Sequence, residues 1–237
     1  MTAGRWWETF FDDDYVTVWS AAGSFEHTAE DADGIERLLQ GAPGNQILDV
    51  ACGFGRIAGQ LHQRGYRVTG IDLSADQLRL AGQRNPGPTY LHRDMREPPA
   101  GPYDAVLNVY SSFGYFAHRS DDIAALHAWY AVLRPGGVLL MDLFHRDAVA
   151  HAFGSDDAVI ERGPTRETGV TDWVAGHRTA TITYGDISKT FRVRLYTATE
   201  LVGELATAGF SAVDVYGDLH GTTRLSPATR LVIRATR

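Results

Sequence analysis

Short apolar runs alternate with helix-like patterns through the first 145 residues of the chain. No run alternates between apolar and polar positions, as a strand with one exposed face does, so each strand is expected to be covered on both faces. The runs are Gln46–Val50, Tyr66–Ile71, Thr89–His92, Asp104–Val109 and Val138–Leu143. Because strands alternate with helices here, the pattern predicts right-handed βαβ units in a doubly wound α/β sheet.

Helix signals lie between these runs. Ile57 and Leu61 are four residues apart, and Gly65 follows them as a C-terminal stop. Ser74 and Gln77 have the spacing of a capping box. A further helix has apolar positions on one face at Ile123, Leu126, Tyr130 and Leu133. These patterns predict the crossover helices of the βαβ units.

The pattern changes after about residue 154. Four β-like stretches follow, at Asp157–Glu161, Val170–Val174, Thr179–Tyr184 and Thr190–Tyr196. Turn residues separate them, so they predict antiparallel hairpins in a β-rich insertion at residues 155–196. Two roles remain open for this insertion: it covers a binding site, or its strand edges pair two copies into a homodimer.

Strand and helix patterns return at the end of the chain. Thr197–Glu200 is a second capping box ahead of an apolar helix face. Strands are expected near Ser211–Tyr216 and Thr229–Ala235. Since the sequence has no repeat and no low-complexity linker, we expect one domain over residues 1–237, with an N-terminal lid helix region at residues 1–30.

Composition disfavours several classes of protein. The net charge is -7 and no run of Lys or Arg occurs, which disfavours a nucleic-acid binder. There is no apolar run long enough for a membrane span, and the acidic, aromatic N-terminus does not look like a secretion signal, so a cytoplasmic location is expected. Cys52 is the only cysteine, and the nine histidines are scattered, so neither an internal disulfide nor a metal site is expected.

A glycine turn carries the main chemical signal. Gly53 and Gly55 follow the first strand in Gly-Phe-Gly-Arg-Ile-Ala, where glycine lets the backbone approach a ligand closely. Asp72 ends the second strand, where a carboxylate accepts hydrogen bonds from the ribose hydroxyls of an adenosine cofactor. The hexapeptide also fits the dinucleotide fingerprint, so alone it does not separate an NAD site from a site for S-adenosylmethionine (SAM).

Neighbouring residues favour SAM over NAD. Asp49, inside the end of the first strand, would repel a pyrophosphate and attract the ammonium of a methionine moiety. Asp94 follows the third strand, where its carboxylate can accept from an adenine amino group. Asn108 begins a polar and aromatic run after the fourth strand, at the edge of the sheet where ligands bind.

Four segments in order resemble the motifs of class I SAM-dependent methyltransferases. Leu48–Gly55 is similar to the first motif, Ile71–Ser74 to the ribose-binding motif, Arg93–Arg96 to the adenine motif and Leu133–Val138 to the turn before the fifth strand. The resemblance runs over most of the chain and implies a Rossmann-like seven-stranded sheet in the order 3-2-1-4-5-7-6. It also implies SAM as the cofactor and S-adenosylhomocysteine (SAH) as the product.

The resemblance implies roles for the residues that match the motifs. The methionine end of SAM would contact Asp49 and the backbone around Ala51, Gly53 and Gly55. Asn108 would lie near the methionine amine or the sulfonium.

The nucleoside end of the cofactor is implied to lie along the next two motifs. Asp72 would accept from the ribose hydroxyls and Leu73 would pack on the adenine. Asp94 and Met95 would flank the adenine ring. Arg56 departs from the pattern, because many members have a third glycine at that position.

The aromatic N-terminus resembles the branch of aminosugar and glycine N-methyltransferases, in which an early tyrosine approaches the sulfonium. Phe11, Tyr15 and Trp19 are spaced four apart, which places them on one helix face. An aromatic face attracts a sulfonium cation, and Tyr15 is therefore a candidate for both cofactor binding and catalysis. The alternative is that these rings only anchor a lid helix to the core.

Methyl transfer from a sulfonium is an in-line displacement for which the protein aligns donor and acceptor. A hydroxyl or carbon acid needs a general base, whereas a neutral amine needs none. His145, after the fifth strand, is the candidate base, and its alternative is a surface imidazole. Tyr115, after the fourth strand, is a further catalytic candidate whose alternative is a core ring.

These observations predict methyl transfer from SAM to a nitrogen, oxygen or carbon atom of a small molecule, in biosynthetic or specialised metabolism. The alternatives are a SAM-binding protein that does not methylate, such as a cyclase, and an NAD-dependent oxidoreductase. The run after the fourth strand lacks the Asn/Asp-Pro-Pro-Tyr/Phe signature of nucleic-acid amino methylases, so no nucleic-acid acceptor is expected.

Overall fold

The computed structural model describes residues 6–42, 44–153, 159–222 and 230–237. In chain order its strands are β1 (Gln46–Val50), β2 (Arg67–Asp72), β3 (Thr89–His92), β4 (Tyr103–Asn108), β5 (Leu133–Phe144), β6 (Val159–Arg162), β7 (Thr165–Asp172), β8 (His177–Tyr184), β9 (Ile187–Arg194), β10 (Ser211–Tyr216) and β11 (Arg230–Thr236). Its helices are α1 (Trp7–Phe10), α2 (Asp13–Ala21), α3 (Thr28–Leu39), α4 (Arg56–Gln63), α5 (Ala75–Arg84), α6 (Arg119–Val132), α7 (Arg146–Phe153) and α8 (Ala198–Ala208).

The larger of two sheets has seven strands in the order β3-β2-β1-β4-β5-β11-β10. Strands β1 to β5 are parallel, and β11 runs antiparallel to both β5 and β10. Counted within this sheet the order is 3-2-1-4-5-7-6, so the predicted doubly wound fold is confirmed. Four of the five predicted central strands begin and end within one residue of their expected bounds. Strand β5 starts at Leu133 instead of Val138, because Leu133 already pairs with Tyr103 ahead of a register shift.

The hydrophobic core lies on both faces of this sheet. On β1, Leu48 belongs to the core cluster on one face and Ile47 to the cluster on the other. On β4, Val106 and Leu107 divide in the same way, and all four residues are buried. Successive residues of a strand point to opposite faces, so a strand buried on both sides needs apolar residues throughout. This burial explains why the central runs lack alternation.

The second sheet is antiparallel, in the order β6-β7-β8-β9. Each of the four predicted stretches overlaps one of these strands. Strand β7 begins five residues before Val170 and ends at Asp172 instead of Val174, and β9 begins three residues before Thr190 and ends at Arg194 instead of Tyr196. Asp157, where the first stretch was expected to begin, lies outside the described residues, as does Thr229 at the expected start of the last strand.

The predicted helix starts differ in how completely they are capped. At α8 the capping box is complete, since the Thr197 hydroxyl accepts from the Glu200 amide and the Glu200 carboxylate accepts from the Thr197 amide. At α5 the Ser74 hydroxyl accepts from the Gln77 amide at 3.2 Å. The predicted capping box is incomplete, because the Gln77 side chain does not accept from the Ser74 amide. It donates to the carbonyl of Asp12 instead, and the Ser74 amide donates to Asp72.

The described N-terminal segment joins the two sheets. The Ser74 hydroxyl, at the end of β2, donates to the carbonyl of Phe11 at 2.5 Å. The Lys189 ammonium, on β9, donates to the carbonyl of Phe10 and forms an ion pair with Asp12. Helices α1 and α2 therefore lie over the carboxyl edge of the large sheet, between it and the small one. No described helix combines the length and the apolar character that crossing a membrane requires.

Candidate functional site

A cavity of about 950 Å³ opens at the carboxyl edge of the seven-stranded sheet. Its wall is built by the turns after β1, β2 and β4 and by the N-terminal segment. The wall includes eight of the predicted site residues: Tyr15, Asp49, Ala51, Gly53, Asp72, Leu73, Met95 and Tyr115. Ligands of open α/β sheets bind at this edge of the sheet.

Asp49 gives one end of the cavity its charge. Its side chain is only 1% exposed, and its Oδ1 atom has no hydrogen-bond partner. Burial raises the pKa of Asp49 to about 7, although the nearby charge of Arg56 opposes the shift. A buried carboxylate oxygen without a donor is suited to a cationic ligand group, because burial without a partner is costly.

Arg56 brings a guanidinium to the same wall. It begins α4, is largely buried, and donates to the Asp31 carboxylate at 2.8 Å and to the Thr28 hydroxyl at 3.3 Å. Asp49 and Arg56 together present one anionic and one cationic side chain to the cavity. These two side chains match the ammonium and the carboxylate of an amino-acid group. Arg56, which stands where many family members have a third glycine, is therefore a candidate for binding the carboxylate.

The turn after β2 holds Asp72 between two backbone donors. The Gly53 amide donates to one carboxylate oxygen and the Ser74 amide to the other, each at 2.8 Å. Burial raises the pKa of Asp72, and these backbone hydrogen bonds oppose that rise. Gly53 has φ 56, so its left-handed backbone aims the amide at Asp72 from the turn after β1.

Gly55 has a packing role that the sequence did not reveal. It caps α4 with φ 75, and a Cβ atom there would lie 2.3 Å from the Tyr90 hydroxyl. Tyr90 lies on β3, so the glycine is required by contact between α4 and the sheet. The described cavity wall does not include Gly55.

Asp94 and Asn108 are not among the residues of the described cavity wall either, although their neighbours Met95 and Val109 are. The Asp94 carboxylate is engaged by Arg96, which donates to it from Nε and Nη2 at 3.0 and 2.7 Å. Asn108 is fully buried and donates from Nδ2 to the carbonyl of Val50 at 3.2 Å, which ties β4 to β1. The adenine-reading role of Asp94 and the sulfonium-side role of Asn108 stay predictions.

His145 is not brought to the cavity either. The residue is 3% exposed, so the alternative of a surface imidazole is wrong. Its backbone forms an isolated bridge with Tyr196, and its Nε2 atom lies 3.4 Å from Asp147. Strand β5 ends at Phe144 and α7 begins at Arg146, so His145 is the single residue between them.

A second cavity of about 490 Å³ adjoins the first one. The two share three residues, Tyr15, Tyr110 and Tyr115. Burial raises the pKa of Tyr15, of Tyr110 and of Tyr115, so all three stay neutral phenols near pH 7 and are hydrogen-bonding groups, not bases.

The small sheet closes the second cavity. Its far wall includes Glu167 of β7, Ile182 of β8 and Phe191 of β9. Trp19 completes the aromatic side, with its ring centroid 6.2 Å from that of Phe191. The four-stranded sheet therefore covers a chamber next to the larger cavity.

The N-terminal aromatic residues are close together, but not on one helix. Helix α2 begins at Asp13 with Asp12 as its cap, so the predicted face with Phe11 is wrong. The Phe11 ring still lies 4.9 Å from Tyr15, and Trp19 lies 4.6 Å from Tyr15 on the next turn. Phe25, which sequence reasoning missed, lines the larger cavity as well.

Comparison with known proteins agrees with this geometry. A family model described as "Methyltransferase domain" matches residues 47–137. A malonyl-(acyl-carrier protein) O-methyltransferase of Serratia marcescens is 40% identical over 51% of this chain and 48% of its own length. A dTDP-3-amino-3,6-dideoxy-alpha-D-glucopyranose N,N-dimethyltransferase of Streptomyces fradiae is 38% identical over 40% of this chain and 38% of its own length. The chain thus matches less than half of each of these relatives.

A solved structure shares the whole fold. The CcbJ methyltransferase of Streptomyces caelestis superposes with a TM-score of 0.83, covering 96% of this chain and 98% of that one, at 18% identity. The matched family region contains all of β1 except Gln46, strands β2 to β4 and the glycine turn.

Proposed function

We propose that the chain is a class I SAM-dependent methyltransferase that methylates a small molecule of biosynthetic metabolism. The methyl group goes to a nitrogen, oxygen or carbon atom of the acceptor. One observation supports this proposal above the others: the cavity at the carboxyl edge of the sheet and a second chamber meet at Tyr15, Tyr110 and Tyr115.

The larger cavity fits SAM on its own chemistry. The Asp49 oxygen without a donor suits the ammonium of the methionine moiety, and the Asp72 carboxylate suits the ribose hydroxyls. Bound SAM supplies a methyl group on a positively charged sulfur. The protein's own task is to orient donor and acceptor and to exclude water from the path between them.

The second chamber is the proposed acceptor site. The three tyrosines present neutral hydroxyls and ring faces to it, and Phe191 and Trp19 add apolar surface. The relatives act on different acceptors, a malonyl-(acyl-carrier protein) and a sugar nucleotide. Among the described residues of the chamber wall, Glu167 is the only carboxylate, and there is no histidine. An acceptor that is already nucleophilic and needs no strong base, such as a neutral amine, therefore fits best.

A screen for SAH formation tests the proposal. The purified protein is incubated with SAM and separate pools of amines, phenols, alcohols and carbon acids, and SAH is quantified. SAH released with one pool, together with a methylated product of the expected mass, supports methyl transfer. Tight SAM binding without SAH in any pool would favour a SAM-binding protein that does not methylate.

We expect Arg56→Met to weaken SAM binding by about tenfold to a hundredfold, the usual effect of losing a hydrogen bond to a charged group. The reason is that the guanidinium stands beside Asp49 and pairs with the carboxylate of the methionine moiety. Calorimetric titration measures the affinity. Decarboxylated SAM separates the causes, because its affinity should hardly respond to the substitution.

Arg64→Met is the matched control for this prediction. Arg64 follows the same helix and forms ion pairs with Asp33 and Glu36, away from the cavity wall. Its replacement should leave the affinities for SAM and for decarboxylated SAM unchanged. An equal loss of affinity for SAM and for its decarboxylated form in Arg56→Met would show that Arg56 acts on the fold and not on the carboxylate.

A further inference from the structure

The chain contains a strained turn where the two cavities meet. Tyr110 has φ 69 and Ser111 has φ 64, so both adopt the left-handed conformation that side chains disfavour. Among the described residues these are the only two adjacent non-glycine positions of this kind. Such positions are strained and persist only where surrounding contacts fix them.

Asp142, on β5, fixes this turn from the neighbouring strand. Its carbonyl accepts from the Ser111 amide at 2.9 Å, and its carboxylate accepts from the Tyr110 amide at 3.4 Å. The side chain is 4% exposed, so its charge needs a partner inside the protein. The backbone of the turn and the Asp142 carboxylate are therefore coupled.

Arg230, the first residue of β11, is that partner. It binds Asp142 with two nitrogens, Nε at 2.6 Å from Oδ1 and Nη2 in contact with Oδ2. The same guanidinium lies over the Tyr110 ring, with Cζ 5.6 Å from the ring centroid. Arg230 thus contacts both the carboxylate that holds the turn and the ring that the turn presents.

Tyr110 is held on its other sides as well. The Arg56 guanidinium lies 4.8 Å from its ring centroid, and the Phe25 ring lies 5.9 Å away. Its ring borders both cavities, so its position sets part of the opening between them. A residue fixed this strongly in a strained conformation is typical of functional sites.

We infer that the Asp142–Arg230 pair positions Tyr110 for methyl transfer, an inference that rests on the proposed function. The pair keeps the turn left-handed, and the turn keeps the phenol ring beside the methyl group of bound SAM. Asp49 and Asp72 hold the cofactor from other strands, so losing the pair misplaces the ring without removing the cofactor. Both residues are positioning residues, since the described contacts place neither of them in a cavity wall.

The test uses SAM carrying a ¹³C-labelled methyl group, bound to the whole protein and observed by two-dimensional NMR. The methyl resonance reports the rings around it, and a purely structural substitution elsewhere does not move it. Asp142→Asn and Arg230→Lys should both displace this resonance, while SAH affinity stays within about threefold of the original, as for independent sites. Arg234→Met, on the same strand β11 and paired with Asp214, is the control and should leave the resonance in place.

Tyr110→Leu decides whether the pair acts through Tyr110. That substitution should displace the methyl resonance by itself, and Asp142→Asn should add no further displacement in its background. An unchanged resonance in both pair variants would overturn the inference, as would equal displacement with and without Tyr110. If the unsubstituted protein binds no SAM, the proposed function fails instead.

Discussion

Replacing Asp72 with alanine is expected to weaken binding of SAM and SAH by more than about a hundredfold. Its carboxylate lies at the end of β2, where we propose that its two oxygens accept from the ribose hydroxyls of the cofactor. Each hydrogen bond to a charged group is worth about 1.5–3 kcal/mol, and two of them give at least about 3 kcal/mol. Calorimetric titration of the original protein and of Asp72→Ala with SAM and SAH measures the change directly.

Two further variants separate cofactor contact from folding. Asp76→Ala removes an exposed carboxylate from the first turn of α5, four residues further along, and should bind SAM normally. Asp72→Asn keeps an acceptor for the Gly53 amide, and its affinity should fall between those of the original protein and Asp72→Ala. Equal affinity in Asp72→Ala and Asp76→Ala would remove Asp72 from the cofactor site.

The second large effect is a dependence of SAM affinity on pH that comes from Asp49. Burial raises the pKa of Asp49 to about 7 in the free protein, so the carboxyl group is largely protonated below that value. The ammonium of SAM favours the ionised form and lowers this pKa on binding. Affinity should therefore fall by up to about tenfold for each unit as pH drops below 7, and level off above it.

Asp49→Asn is expected to remove this pH dependence and to show weak binding at every pH. The same pKa predicts that the free energy of unfolding of the free protein falls with rising pH, whereas SAM affinity rises. The folded state binds the proton more tightly than the unfolded chain, so stability should fall as pH rises from about 4 to about 7. Binding that strengthens towards low pH, or a slope that survives in Asp49→Asn, would contradict the role of Asp49.

Much of the fold could be predicted because its signals are local. The central strands are buried on both faces, so they appear as continuous apolar runs, and Thr197 and Glu200 define a helix start within four residues. The position of Asp49 and Asp72 in one cavity wall was predictable because each lies at the carboxyl end of a parallel strand, and such ends converge at one edge of the sheet.

The remaining site features depend on contacts between distant residues. Asp94 is engaged by Arg96, and only the folded chain also brings Asp121 to that arginine. His145 is buried because β5 extends through Phe144, a boundary set by pairing with β11. The left-handed conformation of Tyr110 has no sequence signal at all, since it is imposed by Asp142 and Arg230 from two other strands.

The placement of the cofactor's sulfur tests the central claim most directly, and a crystal structure of the protein with SAH would provide it. We expect the ribose on Asp72, the amine on Asp49 and the sulfur facing the wall shared by Tyr15, Tyr110 and Tyr115. A sulfur that faces away from these tyrosines, or SAH bound outside the larger cavity, would contradict methyl transfer into the second chamber.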